Sequence, residues 1–222
     1  GILDLFLLVP VVISSITEMG LLSANTYYAG KNTYAFHTLH SNSIAWSVTV
    51  GIVVFGLGSF LCALTGSPFG SLSPAVFILS LTTVLPSIYF SLWSGLMYGS
   101  DEVTKVYLVT SLTAVASLGT YALALVLGAA LPTVMWLGAG LLFVRAAMSV
   151  YSIRTRISPF SLSRTTLKQS LLYGLALYVG LAVNTLHVRI SQFLVEAIWG
   201  PRELGFYALA VRIAEMVWLL DY

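Results

Sequence analysis

Charge is what this sequence has least of. Of its 222 residues 8% are Asp, Glu, Lys or Arg and 58% are hydrophobic, whereas an ordinary soluble domain carries about 25% charged residues. So few charges cannot cover the surface of a water-soluble chain of this size, so the expected solvent is lipid. A net charge of +2, with no basic patch interleaved with exposed aromatics, argues against a nucleic-acid partner. Cysteine is almost absent: Cys62 stands alone inside an apolar run, which excludes an internal disulfide and a cysteine metal site. Paired-carboxylate motifs, HExxH and the P-loop are missing too, so neither a catalytic constellation nor a cofactor is expected. His37 and His40 have no third ligand nearby in sequence to complete a metal site. The chain opens without Met or a basic stretch leading to a cleavage site, and "EMVWLLDY" at its end is too short to cross a bilayer. It reads as an internal piece of a longer protein.

What the chain has in abundance is long apolar runs. Seven appear, over about 2–23, 43–64, 74–98, 104–128, 132–152, 169–198 and 204–222. Most reach the length of about 20 residues that a membrane helix needs. None alternates as a barrel strand would, and lipid leaves no partners for an open backbone. The expected fold class is therefore all-α, a polytopic membrane helix bundle. Breakers such as "TGSPFGSLSP" and "GAALP" separate the runs, while Pro10 and Pro86 fall inside them as candidate kinks. Gly95 and Gly99, four apart, suggest close helix packing, and Gly56 and Gly58 are read the same way. Arg145, Arg154, Arg156, Arg164 and Lys168 cluster in and beside one loop, with Lys31 and Lys105 in alternate loops. That asymmetry places these loops in the cytoplasm.

The run from Val183 to Leu220 is greasy yet holds His187, Arg189, Gln192, Glu196, Arg212 and Glu215. As an antiparallel hairpin turning near Arg202, it would set Arg189 level with Glu215 and Gln192 level with Arg212. Arg189, Gln192 and Glu196 share one helix face. An arginine at mid-membrane costs about 2.5–3.5 kcal/mol on insertion scales, so these charges call for a partner or a watery cavity. Two readings stay open: a structural ion pair of Arg189 with Glu215, or a polar site facing a water-filled path. In the first run Ser14, Thr17 and Glu18 share a face, read as helix packing ahead of ion coupling.

The stretch from Tyr173 to Leu220 resembles the polysaccharide-transport flippases of the multidrug/oligosaccharidyl-lipid/polysaccharide exporter superfamily. The resemblance rests on Tyr173-Gly174, on Arg189, on the turn Gly200-Pro201-x-x-Leu204-Gly205-x-Tyr207, and on Ala210, Ala214-Glu215 and Trp218. "MGLLSANTYYAGK" at 19–31 is similar to the end of the family's second helix. An Asp often lies two residues after the family's arginine; here Ser191 stands there. The resemblance implies a two-lobed transporter, of which this chain would supply family helices two to eight. Residues 1–152 would be the rest of the N-terminal lobe, 153–168 a basic cytoplasmic linker, and 169–222 the first two helices of the C-terminal lobe. It implies transport without bond chemistry: a lipid-linked oligosaccharide moved across a bacterial or archaeal inner membrane, in contact with membrane lipid and polysaccharide-assembly proteins. Arg212, Arg189, His187 and Gln192 become the expected substrate contacts, and Glu215, Glu196 and Glu18 the expected ion-pair or coupling residues. Rival readings are a lipid II flippase, a multidrug cation antiporter and, in another class, a membrane-embedded polymerase or ligase.

Overall fold

The computed structural model describes residues 2–67, 72–156 and 160–218. Within its helices, the side chains at 179, 181–182, 184–188, 212 and 215–218 lie outside that description. The described residues form helices only: α1 (Ile2–Thr17), α2 (Leu21–Gly30), α3 (Phe36–Thr65), α4 (Pro74–Thr82), α5 (Val84–Gly99), α6 (Val103–Val126), α7 (Leu131–Ser152), α8 (Arg164–Trp199) and α9 (Pro201–Trp218).

Local chemistry sets many of the ends. Ser73 accepts a hydrogen bond from the Val76 amide ahead of Pro74, and Ser163 does the same for Thr166 at the start of α8, each filling an orphan helix donor. Gly66, Gly128 and Gly200 close α3, α6 and α8 at positive φ, where a Cβ would be strained. Helix α8 begins at Arg164 and so takes in the last residues of the basic stretch.

Two of the seven apolar runs are interrupted: the first bends sharply, and the third breaks at one residue yet still counts as one span, Pro74–Gly99. The first divides at Glu18–Gly20, where Met19 and Gly20 have φ of 52° and 71° and the helices on either side bend by 57°. Pro10 lies inside an unbroken α1. The third divides at Thr83, between α4 and α5. Pro86 has no N–H for the Thr82 carbonyl four residues back, which accounts for the break.

Four helical stretches are long and apolar enough to cross a membrane, and five if α1 and α2 count as one bent span. That total covers the described residues only, and some side chains of the sixth and seventh runs lie outside them. The outer faces of α3 and α6 are apolar and exposed, with Ile52, Leu57, Phe60, Leu64, Val115 and Leu118 all more than half accessible. In water such faces would be a liability; in lipid they are the solvent-facing side. The interior is built on α5, whose Ile88, Leu92, Trp93, Leu96 and Met97 are fully buried against α1, α2, α3 and α7.

Glycine sets how closely α2 and α5 approach. A Cβ on Gly95 would stand 2.5 Å from the Leu22 carbonyl oxygen, and one on Gly99 2.3 Å from that of Thr26, so both are packing positions as their spacing suggests. Gly58 likewise faces Leu81, but Gly56 faces open space and is no packing position. His37 and His40 belong to the first turns of α3. His40 is fully buried, its Nε2 2.9 Å from the Tyr89 hydroxyl, and no metal-binding group occurs among the described residues.

Candidate functional site

The break between α1 and α2 leaves carbonyls at the end of α1 without helical donors, an expensive condition in a nonpolar layer. Side chains from other helices supply them. The Tyr178 hydroxyl of α8 lies 2.8 and 2.9 Å from the Ser15 and Ile16 carbonyl oxygens, and the Trp46 indole N–H donates to the Thr17 oxygen at 3.0 Å. Glu18 sits in the break. Its carboxylate accepts from the Ser91 hydroxyl at 2.6 Å. One residue beyond Met19, Gly20 meets Gly174 of α8 backbone to backbone: a Cβ on either would lie under 3 Å from the other's main chain. Tyr27 stacks on Tyr173 with ring centroids 4.6 Å apart, and Tyr34 hydrogen-bonds Gln169. The two sequence segments that carry the resemblance, 19–31 and Tyr173-Gly174, thus touch each other.

At the basic end, the loops before α3 and α6 and the start of the stretch after α7 come together. Glu102 binds Arg156 and Lys105, each at 3.2 Å, and the Arg156 guanidinium lies 5.4 Å from the Phe36 ring centroid. Asn42 of α3 clasps the strap ahead of α8 through both ends of its amide: Nδ2 donates to the Ser163 oxygen at 3.0 Å, and Oδ1 accepts from the Ser163 amide at 3.1 Å. Ser41 accepts from the Ser161 amide at 3.0 Å.

Farther along α8, Arg189 and Gln192 stand three residues apart and share a face. Gln192 is buried and Arg189 half-buried. Both line a cavity of about 150 Å³ whose other walls are Asp4, Leu7 and Leu8 of α1 and Leu204 and Ala208 of α9. Its position follows from the tight turn at Gly200, where α9 starts immediately and Leu204 is anchored through its amide on the Gly200 oxygen. The turn is thus centred on Gly200, short of Arg202. Arg189 and Val211 lie equally far from it, as do Gln192 and Ala208. At about 30 Å³ per water the cavity has room for several waters. Its guanidinium fork, carboxamide and carboxylate on apolar walls suit holding a polar group, and they form no nucleophile–base pair.

Of the expected contacts, the structure brings Arg189 and Gln192 together. Glu196, one turn on and partly buried, does not line the cavity. Glu18 stands at the α1–α2 break, away from it. The side chains of His187, Arg212 and Glu215 lie outside the described residues. Asp4 escaped the sequence reading; its one signal is a lone carboxylate in the apolar run "GILDLFLLV".

Fold and site together define a multi-pass helical membrane protein with a polar cavity between helices. Over residues 1–219 the chain matches the family described as polysaccharide biosynthesis protein, and it belongs to that family. No curated protein and no solved structure matches it.

Proposed function

We propose that this protein is a flippase, moving an oligosaccharide linked to a polyprenyl diphosphate across the cytoplasmic membrane for surface polysaccharide assembly. The observation that carries this reading is the cavity holding Arg189 and Gln192 where α8 and α9 meet α1, in a membrane protein of a polysaccharide biosynthesis family. A mid-helix arginine is costly in lipid and useful in a wet cavity. Its planar fork matches the oxygens of a diphosphate. In this reading the chain is a transporter and not an enzyme, the lobes rock about the cavity, and the basic end faces the cytoplasm. Arg212 and His187 join Arg189 and Gln192 as substrate contacts, and Glu215, Glu196 and Glu18 serve as ion-pair or coupling groups.

The test is export in cells producing the full-length protein. Arg189→Ala and Arg212→Ala are each expected to reduce surface polysaccharide at least tenfold with protein level unchanged. Normal export in both would sink the assignment. The antiporter reading of the same superfamily gains one observation, the Asp4 carboxylate in the cavity. Under that reading Asp4→Asn abolishes drug resistance conferred by the protein and leaves surface polysaccharide intact.

A further inference from the structure

A second cavity, of about 170 Å³, lies between α6 and α7 on the other flank of α1, and Leu7 lines both. Arg145 of α7 faces it, together with Thr110, Thr113, Ser117 and Tyr121 of α6. These four recur at helical spacing, so they form one polar stripe along α6. The basic cluster of the sequence suggests that Arg145 merely marks orientation; its surroundings say more.

Arg145 sits about 10 Å of helix rise short of the end of α7 at Ser152. Its guanidinium lies 3.3 Å from the centroid of the Phe90 ring. Phe90 is itself about 14 Å of rise from the Gly99 end of α5, so the side chain does not reach out toward that end as a snorkelling arginine would. The ring satisfies the flat face of the cation. It leaves the in-plane N–H groups; Arg145 Nε is closed off without a hydrogen-bond partner, so the terminal N–H groups are the ones that can meet a ligand in the cavity that Arg145 lines. No carboxylate among the described residues forms an ion pair with Arg145. An arginine held this deep, with in-plane donors and a cavity beside it, is built to take an oxyanion.

The stripe adds the other half. The Thr113 hydroxyl donates to the Val109 oxygen at 2.8 Å, and Ser117 to the Thr113 oxygen at 2.7 Å. With their protons used on the helix backbone, these hydroxyls offer lone pairs, which accept from a ligand's O–H groups. We propose that this cavity binds a phosphate-bearing lipid headgroup, its anionic phosphate on Arg145 and its hydroxyls on the α6 stripe. Such a headgroup has two sources: a bulk phospholipid, or the diphosphate sugar of a polyprenyl carrier. The site does not require that the protein transport either.

The experiment is native mass spectrometry of the purified full-length protein incubated with one of three lipids: phosphatidylglycerol, a short-chain polyprenyl-diphosphate sugar, or phosphatidylcholine. The proposal expects an adduct with at least one of the two anionic lipids and a drop of about tenfold in Arg145→Gln. An adduct with phosphatidylglycerol identifies the bulk headgroup; one with the diphosphate sugar alone identifies the carrier. Adducts unchanged in Arg145→Gln, or no preference over phosphatidylcholine, would overturn the proposal. Should Arg145→Gln fail to accumulate, Ala114→Leu fills the same cavity and leaves the arginine in place. It too should lose the adduct, and retention would count against the site. Export is scored separately through Arg189 and Arg212, so the transport reading and this site can fail independently.

Discussion

The contact between Gly20 and Gly174 predicts a sharp asymmetry along α8. A Cβ on Gly174 would stand 2.7 Å from the Gly20 carbonyl carbon and oxygen and 2.8 Å from the Met19 oxygen. All three are backbone atoms, so no side chain can swing aside. Restoring ordinary contact at about 3.5 Å requires the segments to part by about 0.8 Å. Overpacking of this kind costs about 1–3 kcal/mol, and parting also weakens the Tyr27–Tyr173 stack, worth about 0.5–1.5 kcal/mol. Against this, Ala in place of Gly inside a helix gains about 0.5–1 kcal/mol. Gly174→Ala should therefore lose about 0.5–4 kcal/mol net. Gly180, on the same helix, has nothing within 4 Å of a built Cβ; Gly180→Ala should be neutral or gain up to about 1 kcal/mol. The assay is thermal unfolding of the purified full-length variants in one detergent. Gly174→Ala should melt several degrees below Gly180→Ala. Equal melting temperatures would refute the close approach of α8 to the α1–α2 break.

Asn42→Ala removes both hydrogen bonds that hold the strap at Ser163. At about 1 kcal/mol per bond, about 2 kcal/mol in all, limited proteolysis between 153 and 163 should speed up by about tenfold or more, and an unchanged cleavage rate would deny the clasp. Tyr178→Phe strips the donor from the Ser15 and Ile16 carbonyls, costing about 1–3 kcal/mol in the same melting assay. Arg156→Ala should cost under about 1 kcal/mol, because its ion pair with Glu102 is partly exposed, Arg156 about half so. A larger loss there would show that the basic end is more tightly packed than its accessibility indicates.

Much of the bundle was legible because lipid makes hydropathy and breakers decisive. "GAALP" ends one helix and starts the next, and the Gly95–Gly99 pair packs as its spacing says. Where a helix breaks inside an apolar run was harder to read. Pro86 does mark a break, yet Pro10 does not, and the main kink falls at Met19-Gly20, where carbonyls are rescued by Trp46 and Tyr178 from distant helices. No local pattern encodes those rescues. For the cavity, Arg189 and Gln192 were visible as a polar face on α8. Asp4 was not, because it joins them only through the packing of α1 against α8 and α9. Arg145 was visible, and charge counting assigns a basic residue near a helix end to topology; the Phe90 ring beside its guanidinium comes only from the packing of α7 against α5.

The central proposal is that Arg189 meets the diphosphate of a lipid-linked oligosaccharide that the full-length protein carries across the membrane. Its most direct test is flipping by the full-length protein in sealed liposomes, read as the rate at which a fluorescent short-chain polyprenyl-diphosphate oligosaccharide becomes accessible to an enzyme outside. Wild-type protein should expose the substrate well above the protein-free rate, and Arg189→Ala should slow it at least tenfold. Wild-type liposomes no faster than empty ones, or an Arg189→Ala rate equal to wild type, would contradict it.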